Sequence, residues 1–162
     1  MGKTDYTLRV VPDDILHQYC RAVKAKEVGT SALNELIQAM VSTVNGKEGM
    51  GIAAPQVGHL LRVVVIRFDD GSVIPMCNPT IMKYSEHQWL EESCMSVPGR
   101  AFRIKRHKHV KVTYLRPDGV RETLRGDGLL ACVIEHELDH LDGKLISDIG
   151  REIKLTKEEM KA

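Results

Sequence analysis

The chemistry-bearing residues concentrate in IEHELDHLDG, residues 134 to 143, where His136, Glu137 and His140 spell His-Glu-x-x-His. On an α-helix, residues four apart share a face, so both imidazoles can reach one metal ion. Glu137 directly follows the first imidazole, where its carboxylate can face water in an open coordination position. Two nitrogen ligands, an open position and a carboxylate base are the parts of a metal-dependent hydrolase. The pattern alone is loose, because a solvated helix can carry it without binding metal. The residues before it add weight: Leu129, Leu130, Cys132, Val133 and Ile134 are apolar and predict a largely buried helix. Buried His and Glu need partners, and a metal supplies one.

Two further side chains stand out. Gln56 is the polar exception in GMGIAAPQVG, residues 49 to 58, where three glycines, two alanines and a proline suggest close backbone approach rather than a regular element. A buried Gln needs a partner, and its amide could donate to a substrate oxygen. Cys94 lies in EESCMSVPG, residues 91 to 99, which reads as a loop. A lone Cys is otherwise an inert thiol.

These groups must be positioned by the elements around them. The helix reads as roughly residues 128 to 142, with Asp127 as N-cap and Gly143 as stop. Residues 8 to 23 start extended and turn at Pro12 into a short helical segment. Leu33, Leu36, Ile37, Met40, Val41 and Val44 recur at helical spacing and predict an amphipathic helix from 31 to 45, capped by Thr30 or Ser31 and ended by Gly46. The β-branched run 61 to 68 predicts a buried strand. After an Asp-Asp-Gly turn a second strand follows, its pairing limited by Pro75, then a third over 81 to 90. Residues 109 to 115 alternate, with Val110, Val112 and Tyr114 on one side, and Arg-Pro-Asp-Gly at 116 to 119 turns the chain into a partner strand. The last ten residues read as a charged tail.

The chain has 162 residues, enough for one domain spanning 1 to 162, and is 43% apolar, ordinary for a globular protein. A net charge of +1 gives no electrostatic indication of nucleic acid or an anionic membrane. No apolar run approaches the ~18 residues of a membrane span. The N-terminus lacks the apolar core of a secretory signal, and Gly2 after Met1 is too little context to argue acylation. Of the four cysteines, Cys20, Cys77, Cys94 and Cys132, none forms a Cys-x-x-Cys pair; Cys77 and Cys132 read as packing residues, which fits a reducing cytosol.

Taken together, GMGIAAPQ, ESCMS and HELDH resemble the three ordered motifs of peptide deformylases, and the similarity runs from about Leu8 to Ile146. The resemblance implies an α+β fold with small antiparallel sheets packed around a central His-Glu-x-x-His helix. It implies removal of the formyl group from formyl-Met peptides of nascent chains. Cys94 becomes the third metal ligand beside His136 and His140, Glu137 the general acid/base, and Gln56 with the backbone N–H of Met95 the donors to the developing oxyanion. Met50, Gly51, Leu129, Cys132 and Val133 would line an apolar pocket for the methionine side chain. Glu92 and Arg100 are candidates for holding the site loop or the peptide. The implied native metal is Fe(II), although two His and one Cys would equally hold Zn(II), Ni(II) or Co(II). A monomer in the cytoplasm is the expected form.

Three departures accompany the likeness. Ser93 stands where the family usually has Gly, and would be strained if that position requires positive φ. Glu135 stands where Gln is usual. Only 19 residues follow Gly143, without the longer C-terminal helix by which bacterial relatives contact the ribosome; so short a chain would suit a bacteriophage. Two other classes carry part of the pattern. A zinc peptidase shares His-Glu-x-x-His, but here the third candidate ligand is a Cys that precedes the helix. A metal-stabilised binding module would have no need of Glu137.

Overall fold

In the computed structural model, which describes residues 4–161, the chain is organised by two helices on opposite faces of one antiparallel sheet. Gly2 lies outside the described residues. The sheet has six strands: β1 (Gly51–Ala53), β2 (Val63–Arg67), β3 (Val73–Cys94), β4 (Val97–Leu115), β5 (Arg121–Asp127) and β6 (Arg151–Ile153). Its order is β1-β2-β3-β4-β5, with β6 pairing the start of β4. The α+β class holds, and the strands join through continuous pairing into one sheet. The helices are α1 (Ser31–Gly46), α2 (Leu129–Leu141) and the single turn α3 (Ile146–Ile149). Among the described residues, no helix is long and apolar enough to cross a membrane.

Strand β2 explains the layering. Val63 and Val65 pack with Leu33, Leu36, Ile37, Met40 and Val44 of α1, while Val64 and Ile66 pack with Ala131, Val133, Ile134 and Leu141 of α2. Alternate side chains of one strand therefore serve two cores, which is why the run is β-branched without a polar beat. Val110, Val112 and Tyr114, the alternating set of β4, join the core beneath α2. A third cluster, Leu16, Val97, Phe102, Ile104, Leu145 and Ile146, closes the other end of the long hairpin.

Thr30 caps α1, its hydroxyl accepting from the Leu33 N–H at 3.3 Å, and Gly46 is the last helical residue rather than the stop. The start of α2 differs from the expectation. Asp127 is the last residue of β5, and its carboxylate meets His109 at 2.6 Å. The cap position is Gly128, with φ of +58° and no side-chain cap. A reversal from strand straight into helix needs that left-handed φ, which favours Gly over the Asp beside it.

Other differences follow from long-range pairing. The strands expected on either side of Pro79 are one 22-residue β3 with register irregularities near Cys77 and Ile81. Pro75 sits opposite Val65 inside the β2–β3 ladder. The span 91–99 is not a loop: β3 continues to Cys94, which pairs with Val97 across a tight turn. Its Ser, Pro and Gly residues have turn chemistry, but the ladder overrides it. Gly51–Ala53 forms a short strand on β2 and Ala54–Val57 a 3₁₀ turn, so the small-residue stretch does adopt regular structure. Just before the charged tail the chain forms β6, which ends on the tail's first residue, Ile153, and pairs with Ala101–Arg103.

Ile134 is fully buried between α2 and the sheet. Truncation to Ala should cost about 2–5 kcal/mol. Urea unfolding should then show a lower midpoint at unchanged slope, and a loss under about 1 kcal/mol would contradict this packing.

Candidate active site

The end of β3, the β1 segment and α2 converge on a cavity of about 360 Å³. Gln56, Cys94, Met95, His136 and Glu137 line it, together with Met50, Gly51, Glu92, Leu129, Cys132 and Val133. Ser93, Glu91, Glu48 and Lys47 lie at the same cavity. His140 stands just behind. The side-chain ligand atoms of Cys94, His136 and His140 all lie within 4.8 Å of one another, and Cys94 Sγ is 3.5 Å from His140 Nε2. All four cysteines are free thiols.

Each side chain is held. Glu92 Oε1 accepts from His136 Nδ1 at 2.7 Å, which leaves Nε2 for the cluster. Gln56 Oε1 accepts from the Ala53 N–H at 2.9 Å. A backbone N–H can only donate, so this contact fixes the amide orientation. Nε2 then donates to Ser96 Oγ at 3.1 Å and points towards Cys94 Sγ at 3.7 Å. The Gln56 amide is thus aimed into the site by two buried partners.

The electrostatics are those of a desolvated site. Burial pushes the Glu137 carboxyl up to about 7, against the pull of His136. Burial holds His140 well below its usual value, assisted by the charges of His136 and Arg106. Burial also opposes charge on Glu92, but hydrogen bonds from His136 and Arg106 outweigh it and bring that carboxyl down to about 2. Burial raises Cys20 and Cys77 to about 11 and pushes Cys132 higher still.

The residues fit a metal. One thiol and two imidazoles are a borderline-soft donor set. Glu137 Oε1 is buried beside them with no hydrogen-bond partner, which in a folded protein calls for a ligand or water. Gly51 permits this arrangement: a Cβ there would lie 2.7 Å from Glu137 Oε2 and 2.8 Å from its Cγ.

Not every expected residue is here. Arg100 lies outside the cavity lining and pairs with Glu152 at 2.8 and 3.0 Å. Ser93 is not among the non-glycine residues with positive φ, so the position carries no such strain. Glu135 is held outside the Cys94, His136 and His140 cluster, accepting from the His107 N–H at 2.6 Å and from its Nδ1 at 3.0 Å. Sequence reasoning missed Ser96, Asp139 and Arg106. Strand parity was the available signal for Arg106, which alternates inward with Phe102 and Ile104.

Fold and site together define a class, a metal-dependent hydrolase built on a His-Glu-x-x-His helix. The family model described as polypeptide deformylase matches residues 6–155. A peptide deformylase of Agathobacter rectalis is 42% identical over 139 residues, covering 86% of this chain and 85% of that protein. One from Dictyoglomus thermophilum is 38% identical over 152 residues, covering 94% and 97%. A solved class I type b peptide deformylase from Acinetobacter baumannii superposes with a TM-score of 0.85 at 33% identity, covering 90% of this chain and 99% of that one. One from Synechococcus elongatus, in complex with actinonin, gives 0.84 at 30% identity, covering 99% and 85%. The chain belongs to the polypeptide deformylase family, metal-dependent enzymes that remove the formyl group from N-terminal methionine.

Two outcomes test the site. Gly51→Ala should displace Glu137 and lower kcat/KM on a formyl-Met peptide about 10²-fold, a typical cost of misplacing a reacting group by about 1 Å; undiminished activity would show the close approach to be irrelevant. In chelator-treated native protein, Cys94 alone should react quickly with a thiol reagent, because the other three thiols are buried and their pKa values raised. Comparable fast labelling in Cys94→Ser would contradict this.

Proposed function

We propose that Cys94, His136 and His140 would hold the metal of this deformylase and that Glu137 carries its proton transfers. The observation that supports this reading best is the unpartnered, buried Glu137 carboxylate oxygen beside three converging ligand atoms. When bound, the metal supplies Lewis acidity and lowers the pKa of water towards neutrality. Glu137 accepts the proton of the water that attacks the formyl carbon, then passes it to the departing amine. Negative charge grows on the formyl oxygen, where Gln56 Nε2 and the Met95 N–H donate. Such donors contribute because they are oriented before the reaction begins, and Ala53 and Ser96 provide that orientation for Gln56. Formate and a free N-terminus result.

In this reading the methionine side chain sits among Met50, Gly51, Leu129, Cys132 and Val133, with Glu92 steadying His136. The native metal is Fe(II), the other three metals being substitutes the same ligands accept. The enzyme works in the cytoplasm as a monomer on nascent chains, without membrane or direct nucleic-acid contact, and docking on the ribosome is no part of the reading.

The test is formate release from a formyl-Met peptide, with metal content measured on the same samples. Glu137→Gln should keep the metal and lose about 10²–10⁴-fold in kcat/KM, towards the larger end because both proton transfers use one group. Gln56→Leu should keep the metal and lose about 10²–10³-fold. A fully metallated Glu137→Gln variant with near wild-type activity would remove Glu137 from the mechanism.

A further inference from the structure

Arg106 lies on β4, away from the cavity lining, and is only 4% exposed. Its guanidinium is committed on every arm. Nε donates to Glu92 Oε2 at 2.8 Å and Nη2 to Glu92 Oε1 at 3.0 Å. Nη1 donates to Asp139 Oδ2 at 2.5 Å. These two carboxylates belong to different elements. Glu92 is on β3, two residues before Cys94; Asp139 is on α2, one residue before His140. Glu92 Oε1, which accepts from Arg106, also accepts from His136 Nδ1 at 2.7 Å.

We infer that Arg106 is a positioning residue for the metal centre, one guanidinium that locks the strand bearing Cys94 to the helix bearing His136 and His140. The inference rests on the reading of those three residues as ligands. A planar fork suits this role. Two parallel N–H bonds fix the Glu92 carboxylate in plane, and the remaining arm reaches Asp139. Lys offers a point charge without a planar fork. Without Arg106, Glu92 would be a buried carboxylate missing its main counter-charge, and the oxygen that orients His136 would be free to turn. Partners in this outer shell of a metal site typically matter about 10- to 100-fold in metal affinity or activity.

The experiment uses zinc as probe and the full chain as protein. Zinc affinity is measured by competition with a chromophoric chelator, at a temperature where circular dichroism shows each variant folded. Arg106→Met should weaken zinc binding about 10- to 100-fold, Asp139→Asn should lose part of that, and Arg106→Lys should recover part of it. A merely structural Arg106 would lower the melting temperature and leave the zinc affinity of the folded protein unchanged, and that result overturns the inference. If Arg106→Met does not fold, unchanged affinity in Arg106→Lys and Asp139→Asn overturns it equally. Wild-type protein that fails to take up one equivalent of zinc removes the ligand reading itself, and this inference with it.

Discussion

A helix buried on several sides cannot be held by apolar contact alone when it must carry two imidazoles and three carboxylates. That constraint shapes the centre of this molecule. Taking those groups out of water costs several kcal/mol per charge unless each finds a partner. On α2, His136 finds Glu92 and Asp139 finds Arg106, while Glu137 Oε1 and His140 Nδ1 find no protein partner. Among the described residues, the buried side-chain atoms without a partner are confined to these two residues, both at the candidate site. Satisfied polar groups give the helix one position, while the unpartnered Glu137 oxygen faces the cavity without a protein partner.

The apolar architecture makes that burial possible. Because β2 feeds two cores, α1 can cover one face of the sheet and leave the other to α2. The cavity opens where β1 runs out and the β3–β4 turn begins. There the backbone is short, bulged or glycine-bearing, and side chains can project into a common space. A register irregularity between Glu92 and Cys94 sits at this point, where a regular ladder would send alternate residues to opposite faces.

Much of this was legible in the sequence, and the boundary of legibility has a physical cause. Helices α1 and α2 were readable because their apolar spacing is local, and Val110, Val112 and Tyr114 because strand alternation is local. His136, Glu137 and His140 lie within one and a half turns and so announce their shared face. Gln56 and Cys94 stood out locally, but only the likeness of three ordered motifs joined them to the helix. The Glu91–Gly99 stretch misled, since its residues have turn propensity while its conformation is decided by a partner strand. Arg106 in a basic run had strand parity as its one mark, and Ser96 in an expected loop had none. Their meaning depends on bonds to residues 14 and 40 positions away, contacts that only the folded topology creates.

The long hairpin also has a bearing on how the centre is assembled in time. His136 and His140 share a face as soon as α2 forms, but Cys94 arrives only when the 22-residue β3 has zipped against β4 and the helix has docked on both. Helical turns form within about a microsecond, whereas pairings between residues far apart in sequence are intrinsically slower because loop closure must precede their reward. On the proposed reading, a metal ion meeting the chain early would find two of its three ligands, and the third only near the end of folding. A tightly held ion would therefore be a late arrival, and the population that holds it would be the population that has completed its topology.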